Sequence, residues 1–437
     1  MLNALGLLTR RRFLPLFVTQ FLGAFNDNLF KTSMVLFATY TIFNDAHQEA
    51  NFNALATGLS IVPFVLLSAL SGQLADSHDK ARIIRLVKTA EIAIMAVGAT
   101  GLFIAQAGYT SAGLALMLGT VLALGVHSTF FGPIKYAILP QHLGTDDVLG
   151  GTGLVEAGTY LAILLGTVTA GWISVEGAGI AVLAVAALGW VTGRMVPPAP
   201  REGPPLKVNY NPFTASWRLI AATLHIRRLF LAIIAISFFW SIGSMLIIIF
   251  PPLVKNVLTA DKEVASLAIA TFSVGVAIGS VVINTLLKGE ISARYAPASV
   301  IAMGASVVLF SLLSRHWTPA PAGTLYTWLT FLHEPRAIGI LLALLAIAVF
   351  GGMFVVPLYA FLTTTVEKDQ TARTVAANNI VNCAAMTIGS AVVLGISSFG
   401  VTPQDMLFVV AAMCLVSAWL AYKLHRACDE PCAAVRK

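Results

Sequence analysis

Charged and amide side chains interrupt an apolar stretch near the start of this chain. Residues 13–43 read FLPLFVTQFLGAFNDNLFKTSMVLFATYTIF, with Asn26, Asp27, Asn28 and Lys31 near the centre. A carboxylate or an ammonium at mid-bilayer depth costs about 2.5 kcal/mol or more, so such groups face a partner, a polar cavity or a ligand. Asp27 and Lys31 are four residues apart, share one helix face and can neutralise each other. They are therefore either a self-paired structural couple or part of a polar site, and the site is the reading carried forward.

Other apolar segments carry similar chemistry. The run HSTFFGPIKYAILPQHL at 127–143 places Gly132-Pro133 before Lys135 and Tyr136. The Gly-Pro pair predicts a break in the helix, tolerated at depth only beside a cavity. Lys135 can snorkel to the interface or bind an anion. A parallel run, FVVPLYAFL, has Pro357 and Tyr359 but no lysine. Glu156, in GTGLVEAGTYLAILLG, can pair with Lys135, carry a proton or serve structure alone. Asn378, Asn379 and Asn382 lie on one side of a helix and can hydrogen-bond a head group or bridge helices. The aromatics of SFFWSIG at 237–243 can cradle an acyl chain or an ammonium, or simply pack. His142 and Asp147 spell an acyltransferase-like H-x4-D, but with no soluble domain around them catalysis is not expected.

The elements that must position these residues are membrane spans. The 437 residues are 57% hydrophobic and 11% charged, less than half the charge of a soluble domain, so this is a polytopic membrane protein. Spans of about 20 residues fit twelve segments: 13–41, 54–75, 83–106, 112–140, 149–173 and 177–195, then 229–254, 264–287, 296–313, 336–364, 373–396 and 403–424. The Pro-rich, basic stretch 196–228 separates the two sets as an exposed linker, with a short amphipathic helix at 214–224. The expected division is 1–195, linker 196–228 and 229–437. Twenty-one of the 27 Lys and Arg fall on the N-terminus, loop 2–3, the linker, loops 8–9 and 10–11 and the C-terminus. By the positive-inside bias, both termini and the linker are cytoplasmic. Arg10, Arg11 and Arg12 precede a span too long for a cleavable signal, so an uncleaved anchor is expected.

No cofactor or metal is expected, since the tail pair Cys428 and Cys432 cannot close a tetrahedral site alone. No G-x-x-x-x-G-K-[ST] occurs, which excludes an ATPase within the chain. The basic residues are spread over loops near anionic lipid, and no nucleic-acid partner is expected. An offset of 223 residues sets Tyr359 against Tyr136 and Gly389 against Gly166, a weak sign of two repeats.

Loop 2–3 reads GQLADSHDKAR at 72–82 and resembles the major facilitator signature G-x-L-a-D-r-x-g-r-[KR]. In that reading Gly72 permits close helix approach and Asp76 sits at the N-terminus of a neighbouring helix beside a base. Lys80 and Arg82 would close salt bridges in one conformation, as gate residues. The all-α fold implied is the major facilitator arrangement of six and six helices with a substrate site between repeats.

QFLGAFNDNLFK of span 1 and FFGPIKYAILP of span 4, with Glu156-Ala157, resemble the lysophospholipid transporter family over nearly the whole chain. That resemblance implies a transporter in a bacterial inner membrane; a monomer is expected. It would move lysophosphatidylethanolamine-like lipids from the outer to the inner leaflet for re-acylation. An acyltransferase or acyl-carrier synthetase partner is then expected on a separate chain. It also puts Asp27 and Lys135 at the family's charged site positions. Some members carry an arginine in span 7 facing the span 1 aspartate; GSMLIIIF at 243–250 has none, and Lys31 supplies a charge from Asp27's own helix. Lys31 and Lys135 suit a phosphate, Asp27 and Glu156 an ammonium. The rival readings are a proton-linked exporter of amphiphilic drugs and a non-transporting acyltransferase scaffold. Span 5 lacks the Gly-Pro motif of the first, and a scaffold has little use for charges inside spans.

Overall fold

Apolar runs of more than 20 residues with few breakers become helices here, and helices make up the regular structure. The computed structural model describes residues 6–43, 46–202, 207–321, 323–397 and 399–429. Among the described residues twelve long helices follow one another: α1 Leu14–Phe37, α2 Ala46–Ser77, α3 Lys80–Gln106, α4 Thr110–Ala137, α5 Thr145–Trp172 and α6 Val175–Arg194. The second set is α7 Arg227–Pro252, α8 Lys262–Leu287, α9 Ala296–Arg315, α10 Ala337–Thr364, α11 Thr371–Ser397 and α12 Pro403–Asp429. Eleven are long and apolar enough to cross a membrane among the described residues. The other is α1, whose hydropathy is diluted by Gln20, Asn26, Asp27, Asn28 and Lys31. Among the described residues no strand forms beyond one isolated bridge, Ala260 with Tyr326.

The chain divides into two compact units, Leu2–Ala222 with Thr363–Ile380, and Thr223–Leu362 with Val381–Lys437. In the first, α1 packs on α5 and α6, α3 on α4 and α6, and α2 on α4. Its apolar core joins Phe30 and Met34 of α1 to Met95 and Leu102 of α3 and Met117 and Leu124 of α4. In the second, α12 packs against α7 and α9. Bare glycine faces bring helices close in both. A Cβ on Gly166 of α5 would lie 2.5 Å from the Phe25 carbonyl of α1, and one on Gly389 of α11 would strike Ser241 of α7. The two glycines related by the 223-residue offset thus perform the same packing task, each against the first helix of its set.

The segment after α6 is more firmly held than an exposed linker. Val196 and Ala199 are buried. The backbone N–H of Ala199 donates to Asp79 Oδ1 at 3.0 Å, and its carbonyl accepts from the Lys80 N–H at 3.0 Å. The N–H of Asn209 donates to Gln73 Oε1 at 2.8 Å. In the short helix Pro212–Leu224, Ala215 is buried with Ala69 and Ile380, and Leu219 and Ile220 pack against them.

The expected break at Gly132-Pro133 is corrected: α4 runs through Pro133 to Ala137. Proline lacks the N–H that would bind the carbonyl four residues back. That carbonyl, of Thr129, is met instead by Ser71 Oγ of α2 at 2.9 Å. Cys432 lies outside the described residues, as does the side chain of Cys428.

Candidate functional site

Three helices of the first unit bring most of the expected polar groups together. Asp27 of α1 is half-buried; its Oδ2 accepts from Ser128 Oγ of α4 at 2.8 Å, while its Oδ1 is buried without a partner among the described residues. Lys31 makes no ion pair among the described residues, so the Asp27–Lys31 couple does not form. Asp27 turns to Ser128, and four-residue spacing permits a pair without requiring one. Asn28 Nδ2 donates to its own helix, at the Ala24 carbonyl, 2.8 Å away.

Ser128, Gly132 and Lys135 recur every three or four residues and so form one stripe on α4, about 10 Å long at 1.5 Å per residue. Lys135 is half-buried, with Nζ 4.8 Å from the Tyr136 ring centroid and no ion pair among the described residues. Glu156 of α5 is buried and accepts a hydrogen bond from the Tyr136 hydroxyl. Among the described residues Lys135 therefore has no anion at contact distance, while the Glu156 carboxylate is engaged by a phenol.

The three asparagines of α11 go to different surroundings. Asn379 is half-buried, its amide nitrogen 3.7 Å from where a Cβ on Gly132 would stand. Asn378 is fully buried. Asn382 Oδ1 accepts from Ser237 Oγ at 2.7 Å, and its amide lies 3.5 Å from the Tyr359 hydroxyl. Tyr359 also receives the indole N–H of Trp240 at 3.0 Å. Asn382 and an aromatic of 237–243 thus belong to a packing network of the second unit.

A second charged cluster was not singled out from the sequence. Lys88 and Glu91 of α3 are fully buried, and Lys88 Nζ donates to Glu91 Oε2 at 2.5 Å. Asn26 Nδ2 donates to Glu91 Oε1 at 3.1 Å and to the Val182 carbonyl of α6 at 3.2 Å. His127 Nε2 of α4 is 3.2 Å from the same carboxylate, near enough to feel its charge but not aligned for a hydrogen bond. Lys88, one of the twenty-one basic residues assigned by charge to the cytoplasmic side, is instead fully buried in α3. The available signal was the pair Lys88 and Glu91 three residues apart at the head of the apolar run AIMAVGA.

The loop 2–3 residues form a third group. Asp76, buried at the end of α2, accepts from the backbone N–H of Ala372 and of Arg373 and from Arg373 Nε, each at 3.0 Å. Its carboxylate thereby caps the N-terminus of α11. Gly72 allows this approach, since a Cβ there would lie 2.7 Å from Ala376 Cβ and 2.8 Å from Arg373 Cα. Neither Lys80 nor Arg82 makes an ion pair among the described residues: Arg82 is exposed, and Lys80 is buried with no hydrogen-bond partner for its Nζ. The base beside Asp76 is Arg373, whose guanidinium and backbone already occupy the carboxylate. His142 and Asp147 also part company, His142 Nδ1 meeting the Arg12 carbonyl at 3.1 Å and Asp147 pairing with Arg10.

A helical membrane protein with charges held inside its spans and a helix cap built from loop 2–3 is organised as a multi-pass transporter. The chain matches the Major Facilitator Superfamily over residues 16–390 and belongs to that family, with its twelve-helix fold. Among similar proteins is a "Lysophospholipid transporter LplT" of Cronobacter sakazakii, 26% identical over 86% of this chain and 85% of that protein. Another of the same name, from Escherichia coli strain SE11, is 27% identical over 93% and 95%. Among solved structures, the human organic anion transporter MFSD10 superposes with a TM-score of 0.73 at 13% identity, covering 94% of this chain and 99% of that one. A bacterial homologue of the iron transporter ferroportin, in an outward-facing state, gives 0.71 at 12% identity, over 97% and 100%. At these identities the two structures speak to the fold alone.

Proposed function

We propose that this protein transports lysophospholipids, with lysophosphatidylethanolamine the model substrate, by alternating access. The observation that carries the proposal is the α4 stripe, where Lys135 has no anion in contact among the described residues and Ser128 holds Asp27. A lysophospholipid brings the missing charges: its phosphate meets Lys135 and Lys31, and its ammonium meets Asp27 and Glu156, by charge-assisted hydrogen bonds. Asn379 lies beside the same stripe, its amide nitrogen 3.7 Å from where a Cβ on Gly132 would stand. The acyl chain needs no polar partner and stays against apolar helix. The similarity to proteins named lysophospholipid transporters over most of the chain supports this choice over other amphiphiles.

The direction proposed is from the outer to the inner leaflet of a bacterial inner membrane, with both termini cytoplasmic and re-acylation by enzymes on other chains. Gly72, Asp76, Lys80 and Arg82 act as gate residues, with Arg373 added from the structure. The test is uptake of labelled lysophosphatidylethanolamine by spheroplasts lacking other routes, for the parent, Asp27→Ala and Lys135→Ala at equal membrane level. Loss in both variants supports the reading. Undiminished uptake in both makes the charges structural, and no uptake by the parent removes the substrate assignment.

A further inference from the structure

We infer that Glu91, through Asn26, is a positioning residue that sets the rotation of α1 and so holds Asp27 toward the substrate stripe. The cluster around Glu91 belongs to no contact with substrate proposed above. It is a built site: Asn26, Lys88 and Glu91 are fully buried and His127 nearly so. The lysine stem lies among glycines, since a Cβ on Gly23 would meet Lys88 Nζ at 2.7 Å and one on Gly193 would meet Lys88 Cγ at 3.2 Å. Lys88 and Glu91 cancel each other's charge, so Glu91 offers α1 a hydrogen-bond anchor rather than a net field.

The connection to Asp27 is by adjacency on two helices. Asn26 and Asp27 are neighbours on α1, and His127 and Ser128 are neighbours on α4. On the Asn26 side the link is a hydrogen bond to Glu91 Oε1 at 3.1 Å, and His127 Nε2 lies 3.2 Å from Glu91 Oε2 without a hydrogen bond. The neighbouring link is Ser128 to Asp27 at 2.8 Å. Successive helical residues are about 100° apart, so an α1 rotation locked at Asn26 is also locked at Asp27. Released from Glu91, a rotation of only about 20° would carry the Asp27 carboxylate roughly 2 Å around the axis, enough to break the Ser128 contact.

The inference rests on the proposed function, in which Asp27 meets the head group. Its test is a double-mutant cycle on lysophosphatidylethanolamine affinity, with the purified full chain in lipid nanodiscs. Asn26→Ala is expected to weaken binding about tenfold beside Asp27, and by less than about twofold in an Asp27→Asn background. Should Asn26→Ala fail to fold, Lys88→Met with Glu91→Met removes the acceptor from the other side without leaving an unpaired charge. Lys88→Met with Glu91→Gln keeps an acceptor for Asn26 and is expected to bind as the parent does. Equal losses in both backgrounds, or no loss in either, overturn the positioning role. Absence of binding by the parent would instead remove the substrate reading, and this inference with it.

Discussion

Replacing Asp76 should release the start of α11, and the size of the effect follows from its contacts. The carboxylate caps two backbone N–H groups and pairs with Arg373. Loss of a helix cap costs about 1 kcal/mol. Breaking a buried pair costs about 3–5 kcal/mol, but Arg373 is 23% exposed and keeps a 2.9 Å bond to the Asp369 carbonyl, so about 2 kcal/mol is the fitting share. Asp76→Ala therefore shifts the opening of this contact by about 3 kcal/mol, roughly 150-fold. Asp76→Asn, which keeps one acceptor, should shift it by about half that free energy. The assay is maleimide labelling of Val375→Cys, a fully buried position in the first turns of α11, in membranes and in a background without native cysteines. Labelling should accelerate strongly in Asp76→Ala. Gly72→Val should do the same without removing a charge, because its side chain would meet the Arg373 backbone. Labelling as slow as in the parent would refute the capping argument.

Further outcomes are expected. Gly279→Ala drives a Cβ into the Val349 carbonyl of α10, which cannot withdraw as a flexible side chain would, so the thermal midpoint of the purified protein should fall by the equivalent of about 3 kcal/mol. Tyr136→Phe removes the donor to Glu156 and should reduce lysophosphatidylethanolamine uptake at unchanged membrane level; unchanged uptake would make that contact incidental. His142, outside the spans, has its pKa lowered from 6.5, chiefly by burial, against the opposing pull of the Pro198 and Arg12 carbonyls. The unfolded chain then takes up the proton first, so this contribution to stability is constant above about pH 6.5 and declines as the pH falls below it. Melting at pH 5 and 7.5 should show a smaller acid loss for His142→Gln than for the parent.

Much of this organisation could be read before the structure. Hydropathy located the helices because length and apolar content are local properties, and the faint 223-residue offset corresponds to equivalent glycine contacts at Gly166 and Gly389. The placement of Asp76 at a helix N-terminus also follows from local chemistry, since a buried carboxylate needs donors. Its partner could not be named, because Arg373 lies 297 residues away. For Asp27 the sequence leaves two readings open: four-residue spacing makes a pair with Lys31 available, and it is Ser128, 101 residues on, that takes the carboxylate. Pro133 shows how tertiary context overrides a helix breaker, as Ser71 replaces the missing donor. The Lys88–Glu91 pair was hidden by its position at the edge of a basic loop, where charge is ordinarily solvated.

The most direct measurement is translocation of fluorescent lysophosphatidylethanolamine across the bilayer of proteoliposomes holding the purified protein. With the parent, probe added outside should become protected from a membrane-impermeant quencher much faster than in protein-free vesicles, and Lys135→Ala should return the rate to that background. Parent vesicles no faster than empty ones would contradict lysophospholipid transport by this chain.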